Sequence, residues 1–170
     1  MIFLLGLIGL IVLIFLVTVL VGAPYVPSHR QQLVALFDDL YKLKATDLVI
    51  DIGSGDGVVL AEVARRGAKA LGYEINPVLV LISKLRLYKY RQLVQIKLAN
   101  FWSVDFPAST SLVYTFGESR DINKMYQKVE AQAKRLNKTI YFVSYGFEVK
   151  SHQPLKTHQA HHLYKITPLQ

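Results

Sequence analysis

The sequence predicts an open α/β domain: a mostly parallel sheet with helices on both faces and an antiparallel C-terminal hairpin, preceded by one N-terminal transmembrane helix. Three observations carry that reading. Apolar runs of strand length alternate with helical repeats from Asp47 to Tyr145. A glycine-rich turn follows the first of those strands directly. Residues 1–22 include 18 apolar residues and no charged one, whereas all 20 basic and 12 acidic residues fall from Arg30 onward. The 170 residues thus divide into an apolar segment (1–22), a linker (23–30) and one domain (31–170), with no length for a second core.

The apolar segment is long enough, at ~1.5 Å per residue, to cross a hydrocarbon core of roughly 30 Å. A cleaved leader fits less well: a basic start is missing, the apolar run is too long, and Pro24 follows the only small-residue site, Ala23. Gly6 and Gly9 lack the i, i+4 spacing of a helix-pairing motif. Arg30, Lys42 and Lys44 are the nearest basic residues, so the positive-inside rule puts the domain on the cytoplasmic side of a single-pass protein. Pro24 and Pro27 end the helix and extend the linker.

Leu33, Val34, Phe37, Leu40 and Tyr41 recur at helical spacing, which predicts a helix over 31–43. Strands are expected at 47–52, 69–73, 93–98, 112–116 and 139–145, and helices at 58–66, 78–91 and 122–136. Pro77 suits the first turn of the helix it opens. The tail, 147–166, reads as the antiparallel hairpin closing one sheet edge. With no cysteine, a disulfide, a thiolate zinc site and a cysteine nucleophile are all excluded.

The chemistry lies in Asp51-Ile-Gly53-Ser-Gly55-Asp56-Gly57, between the first strand and a helix. Glycines there let the backbone turn sharply and approach a ligand. Glu74 ends the second strand, 21 residues after Gly53, where a carboxylate can hold the two hydroxyls of a ribose. A dinucleotide fingerprint would need glycine at 58, which is Val58, and a Gly-Lys-Ser/Thr triphosphate loop is missing. Asp51 and Asp56 would repel phosphates but suit a cationic sulfonium with an amino-acid head group.

DIGSGDG followed by GYEINP resembles the first motif and acidic successor of class I S-adenosylmethionine-dependent methyltransferases. The order of apolar segment, PYVPS linker, these two motifs and Asn-Phe-Trp is similar to the small membrane-anchored lysine methyltransferases of the adenine nucleotide translocator and ATP synthase c-subunit type. The resemblance implies a Rossmann-like sheet, S-adenosylmethionine as cofactor, and a lysine of a membrane-associated protein as acceptor. It also implies that Asp51, Gly53 and Gly55 line the methionine part of the cofactor, with Asp56 and Gly57 in the same cofactor-binding turn, that Glu74 binds its ribose, and that Asn100 and Phe101 sit against its adenine. Two departures stand out: Asn100 where the family commonly has Asp, and Gly117-Glu118-Ser119 where it tends to have a proline. A lysine ammonium, ~10.4 in reference pKa, must lose its proton before attack, and Glu118 is the candidate for orienting the amine. Tyr25 either covers the cofactor or anchors the helix end at the interface.

Between Glu74 and Asp105 the only charges are Lys84, Arg86, Lys89, Arg91 and Lys97. Anionic lipid head groups, RNA (with a net charge of +8 and Tyr88 and Tyr90 interleaved) and plain solvent are the three readings of that run, with lipid the economical one in an anchored protein. His158, His161 and His162 do not form a metal site, because neighbours on a strand point apart. An RNA or small-molecule methyltransferase, and a non-catalytic cofactor-binding assembly protein, are the competing functions.

Overall fold

A computed structural model describes the backbone of residues 2–21, 30–117 and 119–168, and the side chains of 3–13, 32–117 and 119–168. Seven strands form one sheet: β1 (Leu48–Ile52), β2 (Lys69–Glu74), β3 (Val94–Leu98), β4 (Thr110–Thr115), β5 (Ile140–Tyr145), β6 (Lys156–His158) and β7 (His161–Ile166). Their order is β3-β2-β1-β4-β5-β7-β6. β1 to β5 pair in parallel, and β7 lies antiparallel between β5 and β6, as the expected terminal hairpin. The strand order reverses between β1 and β4, so the crevice at their carboxyl ends is where this architecture places a ligand.

Alternation along the strands feeds two cores. Val49, Leu112, Val143 and Leu163 face the first, with α2 (Arg30–Ala35), α3 (Val58–Arg65) and α4 (Pro77–Arg86). Ile50, Val113, Phe142 and Tyr164 face the second, which α5 (Ile122–Leu136) covers. Helices therefore do lie on both faces.

Two helices end earlier than the periodicity suggests. After α2 the chain makes a π-helical turn, Leu36–Leu40, and leaves helical geometry at Tyr41. Asp47 explains the exit: its carboxylate accepts the Tyr41 hydroxyl at 3.3 Å and the Lys44 N–H at 2.9 Å, drawing residues 41–44 towards β1. α4 stops at Arg86, and the chain tightens into a 3₁₀ turn, Tyr88–Tyr90, that keeps Leu87 and Tyr90 against the core. His158 and His161 sit opposite each other across β6 and β7, His158 lying 3.6 Å from Asp39 and His161 buried against the Tyr145 ring, whereas His162 alternates to the other face, 3.4 Å from Glu148.

The first helix, α1, spans Ile2–Val21. Its described side chains run from Phe3 to Leu13, eleven residues or about 16 Å of helix, and all are exposed. Among the described residues no helix is long and apolar enough to cross a membrane. The linker 23–30 lies outside the described residues except for Arg30.

Candidate functional site

The turn after β1 is built on left-handed backbone at Gly53, Gly55 and Gly57, with φ of 71°, 52° and 82°. The Tyr73 carbonyl at the end of β2 accepts the N–H groups of both Gly53 (2.9 Å) and Ser54 (3.1 Å). Gly57 then precedes α3, and its carbonyl accepts the Ala61 N–H at 2.9 Å. The glycines differ in what a side chain would meet. At Gly57 a Cβ would lie 2.5 Å from Ser83 Oγ and 2.7 Å from Leu87 Cδ1, so this glycine is required for packing. At Gly53 a Cβ would meet nothing within 4 Å: the backbone there borders open space, as a ligand-approach position needs.

Glu74 is buried and holds this turn together. One carboxylate oxygen accepts the Gly55 N–H at 2.9 Å, and the other accepts the N–H groups of Ile75 (2.8 Å) and Asn76 (2.9 Å). About four acceptor positions exist on a carboxylate, and three are engaged. One position is left, so holding both hydroxyls of a ribose would require one of these three N–H groups to be released. Asn76 in turn caps α4, its Oδ1 accepting from Val78 at 2.9 Å.

Asp51, the fourth residue of β1, is buried between Gly72 of β2 and Tyr114 of β4. Burial pushes its carboxyl up to about 8, and the charges of Glu74 and Asp56 push in the same direction. Asp56 is paired with Arg86 at the end of α4. Three carboxyl groups thus surround the turn with one basic partner among them, a setting that rewards a cation and penalises a phosphate.

Asn100 follows β3, whose last residue pairs with Glu74, and the Glu74 carbonyl accepts the Ala99 N–H at 3.0 Å. The Asn100 side chain is exposed and caps a short 3₁₀ turn, accepting the Trp102 N–H at 3.1 Å. Its Oδ1 retains a second lone pair and its amide two donors. Phe101 is half-buried with its ring 4.2 Å from that of Trp102, forming an apolar wall next to Asn100. The site residues are thus brought to the carboxyl ends of β1, β2 and β3. Tyr25 and Glu118 lie outside the described residues.

Two positions that shape the turn, Gly72 and Ser83, lie outside the residues expected to bind the cofactor. A Cβ at Gly72 would lie 2.5 Å from Ser54 Oγ and 2.7 Å from Leu60 Cδ1, so the turn can lie on β2 only because residue 72 has no side chain. The glycine before Tyr73-Glu74 was the available signal. Ser83 had none, since its role depends on α4 crossing beneath Gly57.

The family described as the ANTKMT methyltransferase domain matches residues 51–156. The lysine N-methyltransferase of the ATP synthase c-subunit from Xenopus laevis is 31% identical over 111 residues, covering 64% of this chain and 48% of that protein. The chain spans about half the length of the curated relatives of that name. A protein-lysine N-methyltransferase of Saccharolobus islandicus is 29% identical over 136 residues, 77% of this chain and 81% of the relative. Among solved structures, an RNA methyltransferase from Salinibacter ruber in complex with S-adenosyl-L-homocysteine superposes with a TM-score of 0.75 at 21% identity, over 84% of this chain and 94% of that one. That likeness establishes the fold.

Proposed function

This chain belongs to the ANTKMT methyltransferase domain family, and on that premise we propose that it is an S-adenosylmethionine-dependent methyltransferase acting on a lysine of a membrane-associated protein. One observation carries the reading. Asp51, buried with a raised pKa beside Glu74 and Asp56, lies at a glycine turn that opens onto free space at Gly53. Such a cluster favours a ligand combining an adenosine, for the end of β2, with positive charge, for Asp51. The lysine specificity is supported by relatives named as lysine N-methyltransferases, one of them for the ATP synthase c-subunit.

When bound, the cofactor would supply a methyl group made electrophilic by its sulfonium. The chain's own residues would bind and align it: Asp51, Gly53 and Gly55 at the methionine end, with Asp56 and Gly57 completing the turn, Glu74 at the ribose, Asn100 and Phe101 at the adenine, and Tyr25 as a cover. Orientation contributes most of the rate of such a transfer once the amine is neutral. Glu118, after β4, would accept a hydrogen bond from the substrate amine and fix its lone pair towards the methyl group.

We assign residues 1–22 as an anchor with the domain on the cytoplasmic side. The exposed apolar side chains from Phe3 to Leu13 support it, as do the first cations at Arg30, Lys42 and Lys44. An anchored domain would meet its substrate at high local concentration. Membranes lacking the protein, incubated with labelled S-adenosylmethionine and the purified chain, should yield label on lysine of a membrane protein. Label in RNA instead would overturn the substrate class, and cofactor binding without any transfer would leave a binding protein.

A further inference from the structure

α4 is a surface helix with two apolar faces. Val80 and Ser83, with Leu87 just beyond its end, pack inward. Outward lie Leu81 (59% exposed), Ile82 (44%) and Leu85 (71%), followed by Tyr88 (66%). Spacings of three and four residues align them in one stripe. Lys84 and Lys89 are exposed along its margins. Arg91 lies with its guanidinium 4.6 Å from the centre of the Tyr88 ring. Arg86 is turned to Asp56, and no carboxylate occurs between Glu74 and Asp105.

We propose that this outer face of α4 docks on the surface of a bilayer containing anionic lipid. The basic run alone fits lipid, RNA or water, and the aliphatic stripe discriminates among them. Three large aliphatic side chains are unfavourable in water and offer nothing to a phosphodiester backbone, whereas an interfacial helix uses apolar residues inward, lysines at the margins and an aromatic at head-group level. A second copy is disfavoured, because a two-fold pairing of this face would bring the same lysine margins together. The described residues of α1 do not cover it, being exposed themselves. α4 lies on the same sheet face as α2, the next described element after α1 in the chain.

The chain has no cysteine, so Leu85→Cys, Ala131→Cys on α5 and Ile8→Cys on α1 each give a unique labelling site in the full 170-residue chain. With an environment-sensitive fluorophore and nitroxide-labelled lipid as quencher, vesicles of phosphatidylcholine with one third phosphatidylserine should quench the label at 85 several-fold more than that at 131. Lys84→Gln with Lys89→Gln should shift the docking equilibrium by about 25-fold, near five-fold per lysine. Equal quenching at 85 and 131 overturns the proposal. So does a label at 85 that becomes protected in detergent as protein concentration rises, which would identify a second copy. Quenching at 8 reports the anchor separately: quenching at 8 without 85 removes only the α4 surface, and the reverse removes only the anchor.

Discussion

Replacing Asp51 with Asn should stabilise the ligand-free protein in a pH-dependent way while weakening cofactor binding. The Asp51 carboxyl is pushed up from an ordinary 3.8 to about 8, by burial first and then by Glu74 and Asp56. Below about pH 4 the group is neutral in the folded and unfolded chain alike. Between about pH 4 and 8 the folded chain retains a proton that the unfolded chain has released, so stability falls as pH rises, and above about pH 8 the full cost is present. By pH 7 roughly three units have been crossed, about 4 kcal/mol at ~1.4 kcal/mol per unit. Asn carries no charge at any pH. Urea unfolding of the detergent-solubilised chain should therefore give similar midpoints near pH 4 and a gap in favour of the variant of about 2 M at pH 7, for a slope of ~2 kcal/mol per molar. Ligand binding supplies an independent check: a cation next to Asp51 lowers its pKa, so the wild type should release a proton on binding S-adenosylmethionine at pH 7. Calorimetry in two buffers of different ionisation enthalpy would detect that release, and the variant should show none. A stability gap that does not change with pH, or a variant less stable than wild type at pH 8, would refute the reasoning.

Glu74→Ala leaves three backbone N–H groups without their acceptor, so it should cost about 3 kcal/mol or more of stability. Calorimetric titration should also show it weakening cofactor binding far more than Glu118→Ala, and the reverse order would contradict the assignment of Glu74. Gly53→Ala and Gly57→Ala should separate binding from stability. Both place a side chain on left-handed backbone at roughly 1–2 kcal/mol, but only Gly57→Ala also collides with Ser83 and Leu87, adding ~1–3 kcal/mol. Thermal unfolding should thus single out Gly57→Ala, while Gly53→Ala should lose cofactor affinity out of proportion to its small stability change. Asn100→Asp preserves an acceptor for the Trp102 N–H, so its unfolding midpoint should stay within about 0.5 kcal/mol of wild type. It should bind adenosine-containing ligands more tightly, and weaker binding would remove Asn100 from the adenine site.

The centre of the parallel sheet was legible because β1 and β4 are buried on both faces and read as short, largely apolar runs between turns, as at Leu48–Ile52. The turn and Glu74 were legible because glycine spacing and a strand-end carboxylate are local signals. What was hidden depended on contacts that leave no pattern in residue type or spacing. The exit from helix at Tyr41 is set by Asp47, six residues on, and nothing in the repeat Leu33, Val34, Phe37, Leu40, Tyr41 announces it. The end of α4 carries no glycine or proline, and Leu87, the residue at which it ends, is buried beside Gly57. The engagement of Glu74 by three backbone N–H groups was equally invisible, since the donors carry no sequence signature. In Val-Leu-Val-Leu-Ile-Ser-Lys-Leu the apolar residues occupy both sides of a helix, so periodicity could not tell the inward Val80 from the outward Leu81.

The two surfaces of α4 are mechanically joined. Glu74 holds Gly55 and the residues that lead into the helix, Asn76 caps its first turn, Ser83 and Leu87 lie under Gly57, and Arg86 reaches Asp56. Contacts at the start, middle and end of a ten-residue helix leave it little freedom to roll or slide against the glycine turn. The outer stripe from Leu81 to Tyr88 therefore has a fixed orientation relative to the carboxyl ends of β1 and β2. A bilayer contacting that stripe would set the angle at which the site meets the membrane surface. An apolar tether alone restricts distance but not orientation. On the proposed docking, α4 would add a second constraint, holding the carboxyl ends of β1 and β2 at one angle to the membrane surface.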